Sequence, residues 1–259
     1  MTNTLLTDDS TPGIRVVTLN RPERMNALDG ATLAALNDAV RTAGDAGRDI
    51  RVIVIRGSGR AFCAGNDLKW LASGVLADPA AHMRHQDLMQ DTFALMEASR
   101  QIVIASVNGH AVAGGFELTL ASDIVIVDEN AELGDAHLQR NLLPSGGGSQ
   151  RLPRKIGLPR AMYYLITGRR MTGREAERVG LAALAVSGDA LDAETMALAR
   201  EIARTDADAL AAMKQMTRRA LEMPLDDGLS MERWMQYRYR TESPSLVASV
   251  HAFAQGERR

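Results

Sequence analysis

The sequence predicts an α/β fold, with a mixed core followed by a helical C-terminal region. Strand-like and helix-like segments alternate through the first three-quarters of the chain, whereas everything after Leu191 has helical spacing. The 259 residues, 46% of them hydrophobic, are enough to bury a large core. We therefore expect a core domain over residues 1–190 and a helical region over residues 191–259.

The individual elements follow from hydrophobic spacing and from turn and cap signals. Thr172, for example, is expected to cap a helix that begins at residue 173. Strands are expected at residues 14–20, 52–55, Ile102–Val107, 124–127 and Leu184–Val186, with a short extended piece around residues 132–134. Helices are expected at residues 31–43, 79–99, 116–122, 150–156, 160–167, 173–179, 193–204, 207–221, 225–239 and Pro244–Ala254.

Composition excludes several classes of protein. A net charge of −2 and an aromatic content of 4% provide neither a basic face nor stacking platforms for nucleic acid. The polar residues 1–10 do not resemble a targeting sequence and no apolar run has membrane-spanning length, so a cytoplasmic location away from membranes is expected. The single cysteine, Cys63, allows no intrachain disulfide or cysteine-based zinc site and is expected to pack as a small apolar residue.

Residues able to carry chemistry cluster where strands lead into helices. In residues 107–118 (VNGHAVAGGFEL) a strand and an Asn-Gly turn precede two glycines, and Glu117 falls in the first turn of the next helix. Glycine permits close backbone approach and the first amides of a helix are unpaired, so an oxyanion can bind beside a carboxylate. On these twelve residues alone, an ordinary strand–turn–helix corner with a solvent-facing glutamate is the favoured interpretation. Residues 61–68 (AFCAGNDL) form a second junction of this kind.

Several motifs together resemble those of the crotonase (enoyl-CoA hydratase/isomerase) superfamily, in order and over about residues 14–255. They are residues 19–28 (LNRPERMNAL), 61–68, 108–118, 121–124 (ASDI), 146–152 (GGGSQRL) and 165–168 (LITG). The resemblance implies a spiral of ββα units and a helical C-terminal region that builds homotrimers, often paired into hexamers. It also implies an acyl-CoA thioester as substrate, with no metal or redox cofactor.

The resemblance assigns residues to two parts of a site. The backbone amides of Asn66 and Gly114 would hold the thioester oxygen, and each such donor contributes roughly 10²–10³ in rate. By the same match, Phe253 and Arg258 lie where family members contact the nucleotide end of CoA. The residues expected to bind CoA itself are Arg24, Ala27, Ala64, Asp67 and Leu68.

One departure from the family pattern concerns the second acid. Hydratases of this family pair two glutamates; the first matches Glu117, but the second position holds His137, in the context Gly134-Asp135-Ala136-His137. An unperturbed histidine with a pKa of ~6.5 is about a quarter protonated at pH 7. We therefore expect Glu117 to act as the base toward water and protonated His137 as the acid toward Cα. The alternative is that His137 is a bystander.

The resemblance favours an enoyl-CoA hydratase of fatty-acid or related acyl-CoA catabolism. Isomerisation of the simple type is disfavoured because the acid at position 137 is absent, and dehalogenation is disfavoured because Ser145 replaces its aspartate nucleophile. Thioester hydrolysis, decarboxylation and non-catalytic binding of CoA esters remain open.

Three further patterns are interpreted as structural. His82 and His85 lack a metal-site motif and are expected to be partly solvated on a helix. Residues 146–149 (GGGS) lack the lysine of a phosphate-binding loop and are expected to begin a helix. The pair Gly114-Gly115 lacks the glycine spacing of a dinucleotide-binding turn.

Overall fold

The computed structural model describes residues 3–255. Within that range it contains ten β-strands and eleven α-helices. The strands are β1 (Leu5–Asp8), β2 (Ile14–Leu19), β3 (Val52–Gly57), β4 (Ala61–Cys63), β5 (Ile102–Val107), β6 (His110–Val112), β7 (Ile124–Asp128), β8 (Glu132–Gly134), β9 (Met171–Thr172) and β10 (Leu184–Val186). The helices are α1 (Gly30–Arg41), α2 (Leu68–Ala72), α3 (Pro79–Ala98), α4 (Gly114–Ala121), α5 (Gly148–Ile156), α6 (Leu158–Thr167), α7 (Gly173–Arg178), α8 (Gly188–Ala203), α9 (Ala207–Arg219), α10 (Leu225–Glu242) and α11 (Pro244–Ala254).

The strands form two sheets that the chain visits alternately. The larger sheet has the order β1-β2-β3-β5-β7-β10, and the smaller one has the order β4-β6-β8-β9. Each of β3, β5 and β7 lies in the larger sheet and is followed within a few residues by β4, β6 or β8 in the smaller one. Helices then return the chain to the larger sheet. This repetition is the expected spiral of ββα units.

Hydrophobic residues cover both faces of the larger sheet, because side chains alternate along each strand. On β3, Ile53 and Ile55 join the main core beneath α1, α3 and α4. Val52 and Val54 point the other way, into a smaller core that includes Leu191 of α8. The sheet is thus buried on both sides, as its nearly continuous apolar strands require.

The last three helices are joined to this core chiefly through α9. Lys214 is 6% exposed, and its Nζ donates to the carbonyls of Met96 and Gln101 and lies 2.8 Å from Asp123 Oδ2. By contrast, α10 and α11 bury no residue completely. No helix among residues 3–255 is long and apolar enough to cross a membrane. The division of the chain at residue 190 remains a prediction.

The expected strands and helices are confirmed, with boundaries that differ by a few residues. Thr172 caps α7 through a complete capping box with Glu175. Strand β1 and the pairing of short strands into the smaller sheet were not predicted from the sequence. Three of the strands in that sheet have three residues and β9 has two, too few for alternation to show. Three of the four residues of β1 are exposed, so it carries no apolar run.

Candidate active site

The two strand-to-helix junctions meet through a backbone contact at Gly65. A Cβ atom at Gly65 would lie 2.8 Å from the amide nitrogen of Gly114, so only glycine allows this approach; its φ is +85°. A Cβ atom at Gly114 would lie 3.6 Å from the amide nitrogen of Asn66. The structure therefore brings the amides of Asn66 and Gly114 together, as an oxyanion-binding pair requires.

Neither amide has a hydrogen-bond acceptor among residues 3–255, so both can bind a ligand. Gly114 is the first residue of α4, and the first amides of a helix have no intrahelical acceptor. Leu28 and Asn66 form an isolated parallel β-bridge. Its two hydrogen bonds are donated by the amide of Leu28 to the carbonyl of Gly65 and by the amide of Asp67 to the carbonyl of Leu28, so the amide of Asn66 takes no part in the bridge. Neighbouring Ala113 has φ +51° and ψ −120°, a conformation that a residue with a side chain rarely adopts. Such local strain is characteristic of functional sites.

Glu117 lies three residues beyond Gly114 and is completely buried. One carboxylate oxygen, Oε1, accepts a 2.8 Å hydrogen bond from the amide of Gly148, whereas Oε2 is buried without a partner among residues 3–255. Burial raises the pKa of Glu117, because it disfavours the charged form; the Gly148 hydrogen bond and the charge of His137 oppose this effect. The carboxyl group therefore exchanges protons at a higher pH than an exposed glutamate, and one oxygen is available to a ligand.

His137 lies close enough to Glu117 for their charges to interact. Its Nδ1 is 2.8 Å from Oδ1 of Asp135, and its other ring nitrogen, Nε2, has no partner among residues 3–255. Burial disfavours the imidazolium, but the Asp135 hydrogen bond and the charges of Asp135 and Glu117 outweigh it, so the pKa of His137 is raised. The structure thus places His137 at the site, with a second carboxylate that the sequence analysis did not assign.

Three consecutive glycines close the site from the opposite side. A Cβ atom at Gly146 would lie 2.8 Å from Oε2 of Glu117, and one at Gly148 would lie 2.5 Å from Oδ2 of Asp135. The segment does begin helix α5 as expected, but it also leaves room for two buried carboxyl groups. A run of three glycines was the one sequence signal for this close approach.

Helix α3 forms another wall. Helix α3 packs closely against both glycine segments. A Cβ atom added at Gly114 would lie 3.6 Å from Sδ of Met89, and a Cβ atom added at Gly146 would lie 2.7 Å from a ring atom of Phe93. One turn earlier, His85 Nε2 is 2.9 Å from the side-chain oxygen of Asn66. The expectation that His85 is partly solvated is wrong: it is 4% exposed, because the inner face of α3 packs against this junction.

The predicted CoA-binding residues lie on two segments held side by side. The amide of Ala64 donates to the carbonyl of Met25, and that of Leu28 donates to the carbonyl of Gly65. Asp67 caps α2 and pairs with Arg21 at 2.9 Å. The carboxylate of Asp67 is therefore bound within the protein, where it fixes the loop.

The remaining predicted contacts differ in exposure. Arg24 and Leu68 are exposed, whereas Ala27 is 7% exposed. Phe253 on α11 is 83% exposed, and Arg258 lies outside the described residues. Contact of these residues with CoA stays a prediction. Cys63 is buried in the main core, where burial raises the pKa of its thiol to about 12.

The fold places two converging backbone amides beside a buried carboxyl group and a buried imidazole, a combination suited to stabilising an oxyanion and to transferring protons. A family profile described as enoyl-CoA hydratase/isomerase matches residues 9–259. The chain belongs to this family.

Individual relatives agree with that assignment. The chain is 38% identical to a probable enoyl-CoA hydratase of Mycobacterium bovis over 85% of this chain and 83% of the relative. It is 36% identical to 2,3-dehydroadipyl-CoA hydratase of Escherichia coli over 85% and 84%. The crystal structure of an enoyl-CoA hydratase from Bacillus anthracis superposes with a TM-score of 0.92 at 32% identity, covering 98% of this chain and 97% of the other.

Proposed function

We propose that this protein adds water across the double bond of a 2-enoyl-CoA thioester, with Glu117 and His137 sharing the proton transfers. The observation that carries the proposal is the buried carboxylate of Glu117. Its Oε2 has no partner among residues 3–255, and it lies three residues beyond the unpaired amide of Gly114. A buried acceptor without a partner is costly unless a ligand satisfies it.

The reaction begins at the thioester oxygen. The amides of Asn66 and Gly114 donate to this oxygen and stabilise the negative charge that develops there. Glu117 takes a proton from water as the water oxygen forms a bond to C3. The π electrons of the double bond move toward the thioester, which gives an enolate. Because the amides are fixed by backbone packing, they need no reorganisation when the charge appears.

Protonation at C2 completes the addition. Protonated His137 gives the proton on Nε2 to C2, and the thioester carbonyl re-forms. Glu117 is then neutral and carries the proton from water, while His137 has lost one. Transfer of a proton between them, directly or through solvent, restores the starting state. Attraction between ionised Glu117 and protonated His137 stabilises that state.

The test is the loss of enoyl-CoA absorbance with crotonyl-CoA and with a longer or aryl-substituted enoyl-CoA. Turnover by E117Q should be about 10²–10⁴-fold lower than turnover by the wild type, since a positioned base is lost. Turnover by H137Q should also be lower. The variant E194Q alters an exposed glutamate and serves as the matched control. CoA-ester binding without absorbance decay would refute the proposal. Release of free thiol would instead identify a hydrolase, and release of carbon dioxide a decarboxylase.

The same proposal includes a homotrimer or a dimer of trimers, acting in the cytoplasm in fatty-acid or related catabolism on an acyl-CoA substrate. Large exposed apolar side chains on α10 and α11 support the assembly, including Leu225 at 75%, Trp234 at 60% and Val250 at 60%. Light scattering should give three or six times the monomer mass. A monomer would refute this part without affecting the proposed chemistry.

A further inference from the structure

Asp135 contacts His137, one of the two groups assigned to proton transfer, and has no assigned role of its own. It follows β8, is 2% exposed, and uses only one of its two carboxylate oxygens. Oδ1 accepts from Nδ1 of His137 at 2.8 Å and from the backbone amide of the same residue at 3.3 Å. Oδ2 has no partner among residues 3–255. A Cβ atom added at Gly148 would lie 2.5 Å from this oxygen and 3.3 Å from Oε1 of Glu117, so both carboxyl groups border the same glycine.

The local backbone is shaped to make this contact. Ala136, the residue between Asp135 and His137, has φ +53° and ψ 6°, in the left-handed region. A residue with a side chain adopts this conformation only at an energetic cost, so the surrounding structure must impose it. Here the turn allows Asp135 to accept two hydrogen bonds from the residue two positions further on.

The hydrogen bond decides which ring nitrogen reacts. An ionised carboxylate can only accept, so Nδ1 of His137 carries the proton that Asp135 binds. Nε2 is then protonated in the imidazolium and bare in the neutral ring. It is also the nitrogen without a partner in the described part of the chain. The proton that His137 can give away is therefore the one on Nε2.

Asp135 also favours the protonated form of His137. The charged groups that act on this imidazole are Asp135, which follows β8, and Glu117, on α4. Helix α6 packs against the same short turn, where Gln139 donates to the carbonyl of Gly168, and no charged group of α6 acts on the imidazole. Burial by itself lowers the pKa of His137 and favours the neutral ring, whereas the two carboxylates raise the pKa and favour the charged form.

We propose that Asp135 is the positioning residue of an Asp135–His137 dyad that takes the place of a single second carboxylic acid. The inference rests on the proposed hydration, in which His137 protonates C2. Asp135 acts through His137: it orients the ring, keeps the proton on Nδ1 and holds Nε2 ready to donate. A glutamate at position 137 would need no such partner, because its own carboxyl group delivers the proton.

The decisive experiment compares D135N with and without a glutamate at position 137. In the wild-type background, D135N should lower kcat by about 10–100-fold, the range typical for loss of an orienting partner, with little change in KM. The alkaline limb of the pH–kcat profile should move to lower pH, since the imidazolium loses an attractive charge. H137E should retain more activity than H137Q, and adding D135N to H137E should change kcat less than threefold. D87N, at an exposed position, is the control.

Two results would overturn the dyad. An equal loss from D135N in both backgrounds would mean that Asp135 acts independently of His137. An unmoved alkaline limb in D135N would mean that it does not set the protonation of His137. The melting temperature of each variant shows whether it folds.

NMR titration of labelled imidazoles tests the same contact without substrate. The His137 signal is identified among the five histidines by its absence in H137Q. A wild-type tautomer protonated on Nδ1, and a pKa that falls in D135N, would support the dyad even if no enoyl-CoA were turned over. A tautomer protonated on Nε2 would refute it. Failure of the dyad is thereby distinguished from failure of the proposed function.

Discussion

The carboxylate of Glu117 accepts a 2.8 Å hydrogen bond from the amide of Gly148, a residue that begins a different helix. This contact fixes Oε1 and leaves Oε2 without a partner among residues 3–255. The glycine segment is itself held by Arg151, which donates to the carbonyl of Gly146 and pairs with Glu97 at 2.5 Å. The position of the proposed base therefore depends on a loop that follows it by 31 residues.

Replacing Gly148 with alanine should disable the site without unfolding the protein. The new methyl group would lie 2.5 Å from Oδ2 of Asp135 and 3.3 Å from Oε1 of Glu117, so at least one carboxyl group must shift. A displacement of about 1 Å at reacting groups lowers rates by roughly 10², and kcat in G148A should fall by at least that factor. G44A is the matched control, since its nearest neighbour is 3.9 Å away. Wild-type kcat in a folded G148A protein would contradict the prediction.

The pH dependence of kcat should be bell-shaped. Glu117 must be ionised to accept a proton; burial raises its pKa, so the rate should rise with pH through a value above that of an ordinary glutamate. His137 must be protonated to donate, and its pKa is raised despite burial, so the rate should fall again above that pKa. Because the two groups interact, the limbs report the pair. H137Q should lose the alkaline limb, and an unchanged limb in that variant would exclude His137 as the acid.

Ala113→Gly should stabilise the protein. The conformation of Ala113, with φ +51° and ψ −120°, costs about 1–3 kcal/mol for a residue with a side chain. Glycine removes this strain and loses about 0.5–1 kcal/mol through greater freedom in the unfolded chain. The net gain should be about 1 kcal/mol in denaturant unfolding. A94G, in the ordinary helix α3, should instead lose about 1 kcal/mol. If both variants are equally destabilised, the strain is absent.

Lys214→Met should destabilise the attachment of α9. The substitution removes one of the two cationic partners of Asp123 and leaves the carbonyls of Met96 and Gln101 without the Lys214 donor. Breaking a buried pair costs about 3–5 kcal/mol, and the low end is expected because Arg218 still pairs with Asp123 at 2.7 Å. R219M, an exposed change on the same helix, should alter the free energy of unfolding by less than about 0.5 kcal/mol. Equal effects of the two changes would rule out a special role for Lys214.

Much of the fold followed from short-range patterns. Strands such as β5 and helices such as α3 are long enough for their hydrophobic periodicity to be visible in the sequence. Thr172 marks the start of α7 because its side chain can cap the first turn of the helix. The smaller sheet did not follow, because its two- and three-residue strands are defined by partners far along the chain. The burial of His85 could not be predicted for the same reason, because it depends on how α3 packs against Asn66, a residue in another part of the chain.

The sequence by itself determined the α/β class, the family resemblance and the residue types available for chemistry. These are the amides of Asn66 and Gly114, the carboxyl group of Glu117, and a histidine where a second acid was expected. Only the tertiary structure decided how they are combined. It brings Gly65 against Gly114, Gly148 against Glu117 and Asp135 onto His137. The physical reason is that backbone approach and burial depend on residues distant in sequence, and burial in turn decides which carboxyl and imidazole groups hold a proton.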